Sequence, residues 1–173
     1  MITVFRAGGQ LVKVRALMVL SLICAVACLW WGAHLAQTYG LSPADGGRLA
    51  PLATRLAVGV GVASLGIVFA AGMWLYGRCY VARMEVDGRS GGLHVHTVGF
   101  FGTREHVFDA AQVSVGERHE GTLDASLLGA PSVNAPWTSV RIRRRRLPLI
   151  VDEQGEFPQG KLLEGPIGPG RHA

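Results

Sequence analysis

The sequence predicts an α+β membrane protein, a two-helix transmembrane hairpin followed by a small, mostly antiparallel β-domain. Three observations carry this expectation. Two uncharged apolar stretches span about residues 16–37 and 56–76. Each holds about 20 residues, the length a helix needs to cross ~30 Å of hydrocarbon. The acids are segregated: Asp45 is the only one before Glu85, and the other eleven follow. Past Cys79 the continuous apolar run gives way to alternation of apolar and polar residues, the period of a strand. The 173 residues therefore divide into a basic N-terminal segment (1–15), the hairpin (16–77) and a soluble β-rich domain (78–173). The net charge of +5 comes from a basic membrane half joined to a nearly balanced soluble half.

The first 15 residues carry Arg6, Lys13 and Arg15 and no acid. The apolar run that follows is long enough to span, so a retained signal-anchor is expected rather than a cleaved signal peptide. Two alternatives stay open. Cys24–Cys28 contains a small-x-small cleavage pattern, and a short mitochondrial presequence could lie in the basic start. Arg78, Arg83 and Arg89 follow the second run, whereas the loop between the runs holds only Arg48 and Arg55 against Asp45. Positive flanks stay on the cytoplasmic or matrix face, which puts both termini there. The loop from Thr38 to Thr54, with Pro43, Gly46, Gly47 and Pro51, faces the other compartment.

Matching stripes of small residues run along both helices. Ser21, Ala25, Cys28 and Gly32 recur at i, i+4, i+7 and i+11, and Gly59, Ala63, Gly66 and Ala70 repeat that spacing. Such a stripe lets two backbones approach closely, a main source of packing energy in lipid. It predicts a hairpin closed on itself, or a docking face for a partner's helix. Trp30, Trp31 and Trp74 suit interfacial positions. His34 near the end of the first run can reach water. Cys24, Cys28 and Cys79 form no disulfide framework and read as small packing residues.

In the β-domain, Tyr80, Ala82, Met84 and Val86 alternate with Val81, Arg83 and Glu85. The turn Asp87–Gly92 follows, and then Leu93, Val95 and Thr97 alternate with His94, His96 and Val98. This is a β-hairpin signal. Further strands are expected near Glu105–Phe108, Gln112–Val115, Ser139–Arg143 and Leu147–Val151, with a short helix at Leu123–Leu128 inside a polar stretch.

The chemistry-bearing clusters are few. His94 and His96, with His106 and His119 beyond, could ligate a metal only if they converged, and the spacing does not force that. Arg141, Arg143, Arg144, Arg145 and Arg146 are the strongest charge feature. On a strand, Arg141, Arg143 and Arg145 would project to one side and Arg144 and Arg146 to the other. A face of three arginines suits an acidic protein partner or anionic lipid about as often as it is a plain solvated edge, and sparse aromatics disfavour RNA. Gly99–Gly102 is a turn carrying Phe100 and Phe101, not a phosphate cradle. No nucleophile–base pair, phosphate loop or paired carboxylates occur, so neither enzyme activity nor a cofactor is expected.

The hairpin runs straight into Tyr80-Val81-Ala82-Arg83, followed by Thr97-Val98-Gly99-Phe100-Phe101-Gly102. A basic strand then leads into Leu149-Ile150-Val151-Asp152, and Gly155-Glu156-Phe157-Pro158, Leu162-Leu163-Glu164 and Gly168 close the chain. This resembles the transmembrane protein 223 family of the mitochondrial inner membrane, related to transmembrane proteins 70 and 186. The resemblance implies a non-catalytic factor assisting assembly of a respiratory-chain complex, with the mitochondrial ribosome as a further candidate partner. It offers no catalytic residues to carry over. The expected partner is a respiratory-chain membrane complex, anionic lipid is a further candidate, and nucleic acid is disfavoured. The competing readings are a metal- or haem-handling membrane protein using His34, Cys24 and Cys28, or His94, His96 and His106. A bacterial inner-membrane module with a pleckstrin-like lipid- or protein-binding β-domain is the other.

Overall fold

A computed structural model describes residues 1–42, 47–120, 122–123, 133–134, 136–143 and 145–158. Pro43, Asp45, Gly46, Arg144, the segment Leu162–Glu164 and Gly168 lie outside the described residues, as does the expected short helix beyond Leu123. The described chain forms two compact units, one of residues 16–75 and one of residues 1–15 with the part from Tyr76 onward.

The first unit is built on α1 (Gln10–Thr38) and α2 (Leu52–Cys79). Both exceed the expected spans, because helix continues through the polar flanks once the apolar middle has nucleated it. At 1.5 Å per residue each is about 43 Å long, close to a bilayer's full thickness with headgroups. Both are long and apolar enough to cross a membrane. Two residues past α1 comes Gly40, whose φ of +95° favours glycine. A side chain there would also collide with the Arg48 carbonyl, so the chain turns tightly back toward α2. Arg55 donates a 3.3 Å hydrogen bond to the Gln37 carbonyl across that turn.

The second unit is antiparallel β. Its first sheet has the order β1 (Ile2–Arg6), β2 (Val81–Val86), β3 (Gly92–Gly99) and β4 (Gly102–Asp109). A 3₁₀ turn at Ala110–Gln112 leads into β5 (Val113–His119). β6 (Thr122–Leu123) pairs with β7 (Val133–Asn134). β8 (Trp137–Ile142) lies between β5 and β9 (Leu149–Asp152) in the second three-stranded sheet. Tyr80 bridges to Ile150 and Arg6 to Glu156, which ties the two larger sheets into one unit.

Two features depart from the simple alternating reading. The N-terminal segment is not merely a basic flank: β1 pairs antiparallel with β2 and places Val4, Phe5 and Ala7 in the core. Gly8, at φ +55°, turns the chain from this strand into α1. The other departure is a bulge in β2. Val81 pairs with Thr97 but Arg83 with His96, so Ala82 is an extra residue. The bulge reverses the side-chain order, and Val81 is buried with Met84 instead of sharing the face of Arg83 and Glu85.

Phe5, Tyr80, Met84, Leu93, Val95, Val140, Leu149 and Val151 are all fully buried. Each large apolar side chain of this kind contributes about 1.5–3 kcal/mol. Tyr80 is the polar member, and its hydroxyl donates to Asp152 Oδ2 at 3.1 Å. Burial and then the Asp152 carboxylate hold its phenol far above the ordinary tyrosine range. Tyr80→Phe should therefore lower unfolding stability by about 1.5–3 kcal/mol, the value of a hydrogen bond to a charged group. Chemical denaturation of the purified chain would measure it, and an unchanged midpoint would remove this bond from the account.

Candidate functional site

In the helical unit, the small-residue stripes face each other. A Cβ built on Gly32 would lie 2.5 Å from the Gly59 carbonyl oxygen and 3.3 Å from Ala63 Cβ. The reverse holds at Gly59, where the Gly32 carbonyl oxygen would be 2.5 Å away. Farther along, Gly66 sits against Cys28 and Ala25. Ser21 is fully buried, its hydroxyl donating to the Met18 carbonyl at 2.7 Å, and Ala70 is half-buried. Many of the large apolar side chains are exposed instead. Val26, Trp30, Leu65 and Val68 are each more than 60% exposed, a surface that an aqueous protein would not leave bare. His34 stacks on Trp30 with ring centroids 6.0 Å apart. The three cysteines are free.

The histidines do not share one site. His94 Nδ1 lies 2.6 Å from Glu105, and His96 Nε2 lies 3.8 Å from Glu85 on the same sheet face. His106 pairs across from Val95 and so takes the opposite face, where it stacks near Phe108. His119 stacks on Trp137 at 4.1 Å in the other sheet. Among the described residues no three His, Cys, Asp or Glu side chains come together as a metal site would require.

The arginine run departs from the expected two-sided strand. β8 stops at Ile142, and Arg145 N–H bonds back to the Ile142 carbonyl in a turn that delivers the chain to Pro148 and β9. Once the strand period ends, alternation no longer separates the side chains. Arg141, Arg143, Arg145 and Arg146 instead line one concavity of about 550 Å³ with Ser114, Gln112 and Pro148. Its wall is held by the Arg143 N–H bond to the Gln112 carbonyl, 3.0 Å, and by Ser114 donating to the Arg141 carbonyl, 3.4 Å. Arg145 is half-buried and donates from Nη2 to the carbonyl of Arg78, at the end of α2.

His106 reports the local field. Burial first, then the charges of Arg145, Arg78 and Arg104, hold its pKa below the ordinary 6.5. Protonating His106 is thus unfavourable in the folded domain. Its contribution to stability is intact at neutral pH and is lost as pH falls through 6.5 toward its folded pKa, because the unfolded chain then binds more protons. Nuclear magnetic resonance titration should place its midpoint below that of a free histidine. Arg145→Gln should raise the midpoint part of the way back, and an unmoved midpoint would show that Arg145 does not reach it.

Comparison with known families matches residues 10–168 to TMEM70, the TMEM70/TMEM186/TMEM223 protein family. The match covers both helices and nearly all of the β-domain. This chain belongs to that family. It is a family of mitochondrial respiratory-complex assembly factors, and the two apolar helices mark this TMEM70-family chain as a membrane protein. No curated protein matches the chain.

Proposed function

We propose that this chain is a non-catalytic assembly or accessory factor for a respiratory-chain complex of the mitochondrial inner membrane, with both termini on the matrix side. The carrying observation is the family match, which runs through hairpin and β-domain together. Within the family, Thr97–Gly102 and Gly155–Pro158 favour the transmembrane protein 223 branch. The stripes Ser21, Ala25, Cys28, Gly32 and Gly59, Ala63, Gly66, Ala70 close the hairpin on itself. Its outward apolar faces, including Val26, Trp30, Leu65 and Val68, then meet helices of the client. The β-domain holds the client's soluble parts and can stand beside the mitochondrial ribosome. No residue is assigned a catalytic role or a cofactor.

The topology rests on two supports. Arginine and lysine flank the hairpin at both of its ends, as the positive-inside rule asks. β1 precedes α1 and β2 follows α2, yet the two strands are hydrogen-bonded neighbours, which favours one compartment for both. The decisive experiment is crosslinking and affinity capture of the full chain from native membranes. Respiratory-chain subunits enriched over a mock capture are the expected result. Capture with no such subunits would overturn the assignment, and protease shaving that separates the two ends would overturn the topology.

A further inference from the structure

We infer that the concavity lined by Arg141, Arg143, Arg145 and Arg146 binds the phosphodiester headgroup of an anionic phospholipid. The proposal does not depend on the assembly role.

Charge comes first. Four arginine side chains and no acid line this space. No carboxylate among the described residues pairs with any of the four, whereas Arg83 and Arg118 elsewhere in the domain have theirs in Glu85 and Glu153. The acid nearest them in sequence, Asp152, accepts from the Tyr80 hydroxyl at 3.1 Å and the Gln154 N–H at 2.9 Å, and Asp109, two residues before Ala111 of the lining, accepts the Ala111 N–H at 3.0 Å. Like charges gathered without counter-charge repel one another, and an anion relieves that repulsion.

Shape and position follow. A space of about 550 Å³ admits a headgroup rather than a lone ion. Guanidinium groups offer paired N–H donors that match two phosphate oxygens. Arg145 bonds to the carbonyl of Arg78, the first charged residue after the α2 apolar run. One wall of the cavity is thereby anchored to the point where the chain leaves the hydrocarbon. Anionic headgroups are concentrated at that depth, and an arginine near such a surface contributes about 1 kcal/mol, or roughly fivefold in affinity. An acidic protein segment would satisfy the charge, but nothing ties it to this anchored position.

The test uses the full chain purified in neutral detergent, with bound lipid read by native mass spectrometry. Dioleoyl-phosphatidylglycerol is titrated against dioleoyl-phosphatidylcholine. The wild type should retain the anionic lipid preferentially. Arg143→Gln with Arg146→Gln, both exposed side chains, should weaken it about twenty-five-fold, from roughly fivefold per arginine. Arg141→Gln alone should give about fivefold, which keeps the test open if the double variant folds poorly. Arg89→Gln with Arg104→Gln, matched in charge, should leave binding unchanged.

Equal retention of both lipids would overturn the proposal, and so would equal losses in the two double variants. Displacement of the lipid by millimolar inorganic phosphate would identify a free-phosphate site instead. Displacement by hexaglutamate would identify an acidic-peptide site. Since no client is present, failure here leaves the assembly role untouched, and failure of affinity capture leaves this result standing.

Discussion

Gly59→Leu is expected to open the helical hairpin. The atom it would strike is the Gly32 carbonyl oxygen, 2.5 Å from the new Cβ, with Ala36 Cβ at 3.0 Å behind it. Neither is the end of a flexible side chain, so relief requires the helices to move apart. Separation forfeits the close backbone contact along the whole stripe, and in lipid that packing has no hydrophobic term to replace it. Overpacking of this kind costs about 1–3 kcal/mol, and contact with backbone puts Gly59 at the upper end. Gly66→Leu should act similarly, because the Cys28 Cβ would lie 2.6 Å away. Gly61→Leu and Gly72→Leu are the controls, since a side chain at either meets nothing within 4 Å. Thermal unfolding of the full chain in detergent, followed by circular dichroism, makes the comparison. Equal midpoints for Gly59→Leu and Gly61→Leu would mean that the stripe does not hold the helices together.

The same glycines show why much of the fold could be read from the sequence. Apolar length and the spacing of small residues are local properties, and the helices and their facing stripes are set by them. The β2–β3 hairpin is equally local: Asp87 N–H bonds to the Gly92 carbonyl, 2.9 Å, across the turn that the Asp-Gly cluster announces. What stayed hidden was non-local. Ile2-Thr-Val-Phe has strand composition, but its partner lies about eighty residues later, as Thr3 opposite Glu85 shows. At the Ala82 bulge the carbonyl accepts the Ala7 N–H at 2.9 Å, a partner from outside the hairpin. The arginine concavity depends on where β8 stops. Periodicity extended past Ile142 splits the charges between two faces, and the turn before Pro148 brings Arg143, Arg145 and Arg146 to the concavity beside Arg141.

Phe5→Ala is expected to produce the largest loss in the β-domain. Phe5 is completely buried, its ring centroid 5.1 Å from that of Phe157. Gly155 packs so closely on it that any Cβ there would collide with the ring. Cutting a buried phenylalanine to alanine costs about 3–5 kcal/mol, against the 5–15 kcal/mol that holds a typical domain together. Ile2→Ala, on a residue 45% exposed, should cost far less. Chemical denaturation followed by intrinsic fluorescence would separate the two, and near-equal midpoints would show that β1 is dispensable. The consequence reaches beyond stability. If β1 supplies this much of the core, cleavage in the Cys24–Cys28 stretch would strip the domain of Phe5, Val4 and the strand that covers the β2 edge at once. Protein recovered from membranes should therefore still yield the peptide containing Ile2–Arg6 by mass spectrometry. A folded β-domain found without that peptide would require another strand to occupy the β2 edge.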